Sequence, residues 1–163
     1  MFFELTEEQQ LVQDTARRFA EEDILPTQPE EEKNHEFRQD RVERMGELGF
    51  LSCVLPEELG GNGMGFFESA LMAEQIAEVS ASWRLPFNMQ NLGAPLSVAK
   101  YGTEAQKEKY IPSWIDGTKM GFFAMTESNT GSDVASMKTH AIDKGDHWEL
   151  NGSKMWITNA HVG

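Results

Sequence analysis

The sequence is poor in the features that mark several classes of protein. It contains a single cysteine, Cys53, among 163 residues, which excludes a disulfide framework and a cysteine-based zinc site. No apolar run approaches the roughly 20 residues of a membrane-spanning helix. Basic residues are also scarce, because Lys and Arg number 14 against 27 Asp and Glu. Without a basic stripe to contact phosphates, the chain is a poor candidate for nucleic-acid binding.

Targeting and cofactor motifs of several common kinds are absent as well. The first ten residues, MFFELTEEQQ, have no basic region and no long apolar stretch, and they are too acidic for a mitochondrial transit peptide. The chain has neither a Gly-rich dinucleotide fingerprint nor a Walker phosphate loop. Its four histidines lack metal-ligand spacing, so we expect no metal site. These absences favour a soluble cytoplasmic protein.

The negative charge is confined to the first half of the chain. Residues 1–80 hold 19 acidic and 6 basic residues and carry the whole net charge of −13, whereas residues 81–163 hold 8 of each. A hydrophobic fraction of 39% with 10% aromatic residues predicts a folded chain. The length suits one well-packed domain or two small ones.

Helical patterns dominate up to about residue 118. Thr6 and Thr103 are each followed three residues later by Gln, the spacing of a capping box. Apolar residues at helical spacing predict helices near residues 6–25, 41–48 and 66–79. A further helical region, 83–100, is interrupted by Pro86 and Pro95.

Two finer predictions concern this helical part. We expect Pro26 and Pro29 to end the first helix, and residues 30–32, three consecutive glutamates, to form a solvated loop. The helix over 66–79 should face the core with four of its residues, which are Ala70, Ala73, Ile76 and Ala77.

The pattern changes to β after residue 119. Strands are predicted at 120–125, 139–142, 147–150 and 153–158, with Asn151-Gly152 as a hairpin turn. The fold class is therefore α+β, with an all-α domain at 1–118 followed by antiparallel structure at 119–163. Three or four strands are too few to form a closed sheet and would leave an unpaired edge. We therefore expect residues 119–163 to be the incomplete first part of a β domain.

Two polar segments could carry chemistry. Residues 126–133, TESNTGSD, could bind a phosphate through backbone N–H groups and the Ser132 hydroxyl, although a plain polar loop is the simpler interpretation. On a strand, Trp156 and Thr158 would share one face and could flank a flat heteroaromatic ring. A core Trp beside a satisfied Thr would produce the same pattern.

A third candidate is Arg84, which lies in the interrupted helical region. Its guanidinium could bind a carboxylate in a pocket wall, with Asn88 and Asn91 on roughly the same helix face. An ion pair with a nearby surface acid would explain it equally well. Cys53 lies in an apolar run, and we expect it to be buried and unreactive.

Read together, these segments resemble the acyl-CoA dehydrogenase flavoproteins. The resemblance rests on FFAMTE at 122–127, GSD at 131–133 and NGSKMWITNA at 151–160, with LPEELGG at 55–61 and YGTEAQK at 101–107 in the same order. It extends over the whole chain. It implies an N-terminal helical domain, a middle β domain and a C-terminal helical bundle, of which only the first and part of the second lie in these residues.

The resemblance also implies a bound FAD and assigns residues to it. The expected FAD-binding residues are Phe123, Met125, Thr126, Ser132, Trp156, Ile157 and Thr158. Among them, Thr126 should bond the pyrimidine edge of the flavin, Ser132 should meet both the pyrophosphate and the acyl-CoA, and Thr158 should bond near N5. In the family reaction a carboxylate removes the α proton of the thioester and a hydride passes from Cβ to N5. The family's catalytic glutamate lies in the C-terminal part, so no catalytic base is assigned within residues 1–163.

Substrate and partners follow from the same resemblance. Arg84 with Asn88 looks like glutaryl-CoA dehydrogenases, which predicts glutaryl-CoA or a similar short-chain or alicyclic acyl-CoA as substrate. The family implies an electron-transferring flavoprotein as acceptor and a homo-oligomer, usually a homotetramer. The alternative is a non-catalytic helical scaffold or interaction protein that keeps the family's shape and lacks its chemistry.

Overall fold

The structure is a computed structural model that describes residues 4–163. Within that range the chain forms seven α-helices and two short strands. The helices are α1 (Glu7–Phe19), α2 (Gln28–Asn34), α3 (Gln39–Glu47), α4 (Phe66–Val79), α5 (Ala81–Asn88), α6 (Ala94–Tyr101) and α7 (Glu104–Ile115), and the strands are β1 (His140–Asp143) and β2 (Trp148–Asn151). The α+β prediction is confirmed, with the helices first and the antiparallel strands after them.

Both predicted capping boxes are present. The Thr6 hydroxyl accepts the Gln9 amide and the Gln9 side chain accepts the Thr6 amide, which satisfies two donors at the start of α1. Thr103 and Gln106 do the same at the start of α7. These helices begin where the sequence predicted because a cap is a local interaction that needs no distant partner.

One apolar core holds α1, α3, α4 and α5 together. It is built from Ala16 and Phe19 of α1, Val42 and Met45 of α3, Met72 and Ile76 of α4, Trp83 and Phe87 of α5, and neighbouring residues of the turn that follows α3. The Phe19 and Phe50 rings meet edge to face at 5.4 Å. Cys53 belongs to this core, and burial raises the pKa of its thiol to about 11, as expected of an unreactive cysteine.

Helix α4 has the predicted bounds but turns a different face inward. Its buried residues are Ser69, Leu71, Met72, Gln75 and Ile76, whereas Ala70 and Ala77 are exposed. The prediction for these two alanines was wrong. A small apolar side chain gains little from burial, so the larger Leu71 and Met72 set the inward face.

The predicted acidic loop is also wrong, because residues 30–32 lie in α2. Pro29 lies in the first turn of that helix. Backbone N–H groups in the first turn have no partner within the helix, so a proline costs no hydrogen bond there and favours the start of the helix. Glu31 is only 5% exposed and forms an ion pair with Arg41, whose Nη2 donates to the carboxylate at 2.7 Å. The Trp83 indole N–H donates to the same carboxylate at 3.2 Å. Glu31 thus joins α2, α3 and α5.

The helical region interrupted by prolines continues through both of them. Pro86 lies inside α5 and Pro95 in the first turn of α6, with a π-helical segment, Met89–Gly93, between the two helices. A π-helical turn leaves some backbone groups without the usual partner and widens the helix locally. This segment carries Gln90 and Asn91, both fully buried.

Residues 119–163 contain fewer strands than predicted. The strands β1 and β2 pair antiparallel from His140 opposite Asn151 to Asp143 opposite Trp148, close to the predicted strands at 139–142 and 147–150. Residues 120–125 and 153–158 form no strand, and Asn151 lies in β2 itself. The hairpin turn is instead at residues 144–147, where Gly145 adopts φ +93°. The two missing strands have no third strand to pair with among the described residues.

Candidate functional site

Gln90 fixes the backbone between the end of α7 and Gly121, which connects the helical part to the candidate site. Its Nε2 donates to the carbonyl oxygens of Trp114 and Lys119, at 3.1 and 2.9 Å, and its Oε1 accepts the Gly121 amide at 2.6 Å. A fully buried amide side chain thereby satisfies three backbone groups of the chain between α7 and residue 121. This contact determines where residues 122–127 begin.

Gly121 is also fixed from the other side. The Asn159 side chain donates to the Gly121 carbonyl oxygen at 3.1 Å. A Cβ atom on Gly121 would lie 2.7 Å from the Ala94 Cβ and 3.3 Å from the Trp114 ring, so only glycine allows this close approach. The contact brings residues 122–127 and 155–159, two of the three segments expected at the cofactor, to one place.

A second polar cluster lies further along, around Glu127. One carboxylate oxygen accepts the Lys154 ammonium at 3.0 Å and the Thr139 amide at 2.9 Å, and the other accepts the Lys138 amide at 2.9 Å. Hydrogen bonds from the Thr139 side chain, from the two amides and from Lys154 lower the pKa of Glu127 from 4.5 to about 2. Glu127 is therefore ionised at neutral pH, and three stretches of chain converge on it.

The structure places the first set of predicted cofactor residues on an extended segment without ladder hydrogen bonds. Phe123 and Met125 are exposed, and Thr126 is half-buried. The Met155 amide donates to the Thr126 carbonyl oxygen at 2.9 Å, which brings Thr126 beside the segment that carries Trp156. Beside Phe123, residues of α6 and α7 line an apolar groove of about 360 Å³.

The second set of predicted cofactor residues, 156–158, lies in bends and turns and not in a strand. The prediction that Trp156 and Thr158 share a strand face was therefore wrong. Trp156 adopts φ +58° and its side chain is 87% exposed, while Ile157 and Thr158 are half-buried. A bulky residue with positive φ is strained, and such strain clusters at functional sites. The indole is therefore exposed to solvent and makes little contact with the described residues, so packing against them does not account for the strained backbone.

Three hydroxyl groups of the predicted site have no protein partner. Among residues 4–163, the side chains of Thr126, Ser132 and Thr158 make no hydrogen bond. Ser132 is exposed in the loop after Thr130, and a Cβ on the neighbouring Gly131 would meet nothing within 4 Å. Nothing in the structure brings Ser132 against Thr126. All three hydroxyls are free to bond a ligand rich in acceptors.

Arg84 and Asn88 lie one turn apart on α5. Arg84 is half-buried, and within the described part of the chain its guanidinium makes no ion pair or hydrogen bond, so these residues do not supply the surface ion pair of the alternative interpretation. The Asn88 side-chain oxygen is buried without a partner among the same residues. Asn91 differs, because its amide donates to the Ser69 hydroxyl at 2.8 Å and is committed to the core.

Sequence reasoning missed three residues that shape this site, namely Gln90, Glu127 and Asn159. Glu127 and Asn159 lie within the recognised motifs, but nothing local indicates that their side chains bond across 12 to 38 positions of the sequence. Gln90 sits between Pro86 and Pro95, and a polar residue in an interrupted helix is the one signal that could have drawn attention to it.

Sequence comparison decides the family. The profile of the acyl-CoA dehydrogenase N-terminal domain matches residues 6–118, and that of the acyl-CoA dehydrogenase middle domain matches residues 122–162. The chain belongs to the acyl-CoA dehydrogenase family. Members of this family are oxidoreductases, and the resemblance noted in the motifs is confirmed.

Relatives agree with this family over nearly the whole chain. A glutaryl-CoA dehydrogenase of Desulfococcus multivorans is 43% identical over 163 residues, which are 98% of this chain and 42% of that protein. A solved structure of a glutaryl-coenzyme A dehydrogenase in complex with glutaryl-CoA superposes with a TM-score of 0.93 at 42% identity, covering 99% of this chain and 42% of that one. An acyl-CoA dehydrogenase from Bacillus anthracis complexed with FAD has a TM-score of 0.88 at 32% identity, covering 98% and 28%.

The chain therefore spans less than half the length of these relatives. Of the part that the structure describes, no helix is long and apolar enough to cross a membrane. In residues 4–163 there is also no group of three or more His, Cys, Asp or Glu side chains arranged to hold a metal ion.

Proposed function

We propose that this chain forms part of an FAD-dependent acyl-CoA dehydrogenase that introduces an α,β double bond into a short acyl-CoA thioester. The observation that carries the proposal is the set of unpartnered groups on the two joined segments. Thr126 and Thr158 offer free hydroxyls, and the strained Trp156 offers an exposed indole. A scaffold protein has no need for all three together.

The residues available suit a flavin cofactor. A flavin presents a flat aromatic ring with polar edges, and its pyrophosphate presents several oxygen acceptors. The Trp156 indole supplies a face for the ring, while Phe123, Met125 and Ile157 supply apolar contacts. We assign the pyrimidine edge to Thr126, the neighbourhood of N5 to Thr158 and the pyrophosphate to Ser132. FAD binding by the Bacillus anthracis relative supports this assignment.

The reaction needs a hydride acceptor, which FAD supplies when it is bound. This chain's contribution is to bind and orient. Thr126 and Thr158 would hold the flavin through hydrogen bonds and offer donors to charge that develops during the reaction. Trp156 would pack against the flavin and help to exclude water from it. No residue in 1–163 is assigned as the base that removes the α proton.

For the substrate, we propose a short dicarboxylic acyl-CoA such as glutaryl-CoA. Among residues 4–163, Arg84 is a half-buried cation without an ion-pair partner, and the Asn88 side-chain oxygen, one turn further along α5, is buried without a hydrogen bond. A guanidinium binds a carboxylate through two parallel hydrogen bonds, so a distal carboxylate would satisfy Arg84. The identity to a glutaryl-CoA dehydrogenase supports this substrate. Ser132 is assigned to the CoA portion as well as to the pyrophosphate.

The first experiment tests the cofactor. The purified full-length protein should be yellow and should show the visible absorbance of bound flavin. Replacing Thr126 with Val and Thr158 with Val should each weaken FAD binding, because each removes one hydrogen bond and keeps the shape. Thr118→Val, which changes an exposed hydroxyl away from this site, is the matched control. A colourless wild type that takes up no added FAD would favour the non-catalytic scaffold.

The second experiment tests the substrate. Loss of a charge-assisted bond costs roughly 1.5–3 kcal/mol, so Arg84→Gln should raise KM for glutaryl-CoA by about 10- to 100-fold. KM for butyryl-CoA should not change. Arg44→Gln, an exposed arginine that pairs with Glu47, serves as control. A wild-type preference for butyryl-CoA or a cyclohexane-type acyl-CoA would contradict the dicarboxylic assignment.

The remaining proposals concern organisation. We propose a boundary between residues 118 and 119 that separates the helical domain from the first part of the β domain. By family, the electron acceptor would be an electron-transferring flavoprotein and the complete protein a homo-oligomer, with tetramer as the usual form. Size-exclusion chromatography with light scattering of the full-length protein tests the last of these.

A further inference from the structure

The ion pair of Glu127 and Lys154 joins the two segments to which we assign the flavin. We propose that this pair positions Thr126 and Trp156 relative to each other, so that both segments can reach one cofactor. Neither side chain is assigned to touch the cofactor itself. The inference rests on the proposed function, since it concerns how that FAD site is held together.

Lys154 connects the two segments through adjacent groups. Its ammonium donates to the Met125 carbonyl oxygen at 3.1 Å and to Glu127 Oε1 at 3.0 Å. The next residue, Met155, donates its backbone amide to the Thr126 carbonyl oxygen at 2.9 Å. One side chain and one amide therefore hold residues 125–127 at a fixed distance from residues 154–156.

Glu127 adds a third stretch of chain to the same point. Its carboxylate also accepts the backbone amides of Lys138 and Thr139, just before β1. The carboxylate is 6% exposed, although nearly every residue from 131 to 153 is exposed. It is the main fixed point of a region with little apolar core, so its loss should be felt at both flavin segments.

The chemistry of the cluster requires a carboxylate at residue 127. The groups that face it all donate to it, namely two backbone amides, the Lys154 ammonium and the Thr139 hydroxyl. An ionised carboxylate only accepts hydrogen bonds, whereas a glutamine amide would turn two donors of its own toward one side of the cluster. Glu127→Gln should therefore break the cluster even though it keeps the shape of the side chain.

A comparable ion pair lies in the adjacent β1–β2 hairpin and reaches neither flavin segment. Lys144 and Glu149 face each other across β1 and β2 at 3.6 Å, and both side chains are more than 40% exposed. Removing this pair changes charges of the same kind, but within the hairpin itself. It therefore separates an effect on flavin positioning from a general effect on the hairpin.

The test compares four variants of the full-length holoenzyme: Lys154→Met, Lys154→Arg, Glu127→Gln and Glu149→Gln. Lys154→Met is the primary variant, because it leaves the two amide bonds to Glu127 in place and keeps the hairpin folded. FAD affinity is measured by fluorescence titration of the apoprotein, the shape of the visible flavin band by absorbance, and secondary structure by far-UV circular dichroism.

We expect Lys154→Met and Glu127→Gln to weaken FAD binding by about tenfold or more, from the loss of charge-assisted bonds. Both should alter the visible flavin band, since the ring loses its fixed surroundings. Lys154→Arg should restore much of the affinity because it keeps a cation at this point. Glu149→Gln should match the wild type in both measurements.

Two results would overturn the inference alone. One is a Lys154→Met protein with the affinity and flavin band of the wild type. The other is an equal loss in Glu149→Gln, which would mean that any change in the hairpin has the same effect. A wild type that binds no FAD would instead overturn the proposed function, and this inference with it.

Discussion

The helical part, residues 7–115, and the terminal segment, residues 119–163, are stabilised in different ways. In the helical part, α1, α3, α4 and α5 share one apolar core, and the buried ion pair of Glu31 with Arg41 lies among the same helices. The terminal segment has almost no core and is held by the polar contacts of Gln90, Glu127 and Asn159. The proposed flavin residues lie on the part whose position depends on hydrogen bonds more than on packing.

The largest effect should come from the apolar core. Phe87 is fully buried, so Phe87→Ala should lower the free energy of unfolding by about 3–5 kcal/mol through lost burial and a cavity. Denaturant unfolding followed by circular dichroism measures this. Phe66→Ala is the matched control, because Phe66 is 67% exposed and the same substitution there should cost little. Equal effects at the two positions would contradict a stability dominated by packing in this part.

The buried ion pair should rank second. Glu31→Gln leaves Arg41 buried without its charge partner and should cost about 3 kcal/mol. Interactions with Arg41 lower the pKa of Glu31 from 4.5 to about 2, so the stability it contributes is present above pH 4.5 and is lost as pH falls toward 2. The difference in unfolding free energy between wild type and Glu31→Gln should therefore shrink across that window.

The control for the ion pair is Asp40→Asn. Asp40 pairs with Arg38 but is 63% exposed, so its loss should cost well under about 1 kcal/mol. A difference between wild type and Glu31→Gln that stayed constant from pH 4.5 to 2 would show that Glu31 does not act through its charge.

An intermediate effect is expected where the two parts meet. Gln90→Met keeps a similar volume but leaves the Gly121 amide and the Trp114 and Lys119 carbonyl oxygens without their partner, which should cost about 1–3 kcal/mol. Hydrogen exchange of the Gly121 amide should accelerate much more than exchange within α1 and α4. Gln10→Met changes an exposed glutamine on α1 and should alter neither. If amide exchange accelerated equally throughout the helices, Gln90 would stabilise the helical core and not the connection between α7 and Gly121.

The smallest effect should come from the hairpin surface. The Lys144 and Glu149 side chains are both largely exposed, so Glu149→Gln should change the unfolding free energy by less than about 0.5 kcal/mol. Denaturant unfolding at low and high salt measures this. A larger, salt-sensitive loss would indicate that the terminal segment depends on its surface charges as well as on the three buried polar contacts.

Local signals account for what the sequence predicted well. The capping boxes at Thr6 and Thr103, the bounds of α4 and the hairpin strands all depend on residues within a few positions of each other. The motif segments at 122–127 and 151–160 indicated the family without any structure. The proposed site residues were named from those motifs, from GSD at 131–133 and from Arg84 with Asn88.

The errors arise where a distant partner decided the outcome. Residues 153–158 have strand-like composition, but no third strand within residues 4–163 pairs with them, and Trp156 takes a left-handed conformation instead. The residues at 30–32 are all acidic, but Arg41 and Trp83 supply partners that bury Glu31. Neither outcome can be read from residues adjacent in sequence.

By itself, the sequence determined most of the helices, the caps of α1 and α7, the two hairpin strands and the family, because each follows from short-range spacing or from motifs. Only the tertiary structure decided that Gln90 holds Gly121 and that Glu127 joins three stretches of chain. The physical reason is the cost of burying a polar group: it must find a hydrogen-bond partner, and the folded chain supplies that partner from dozens of residues away.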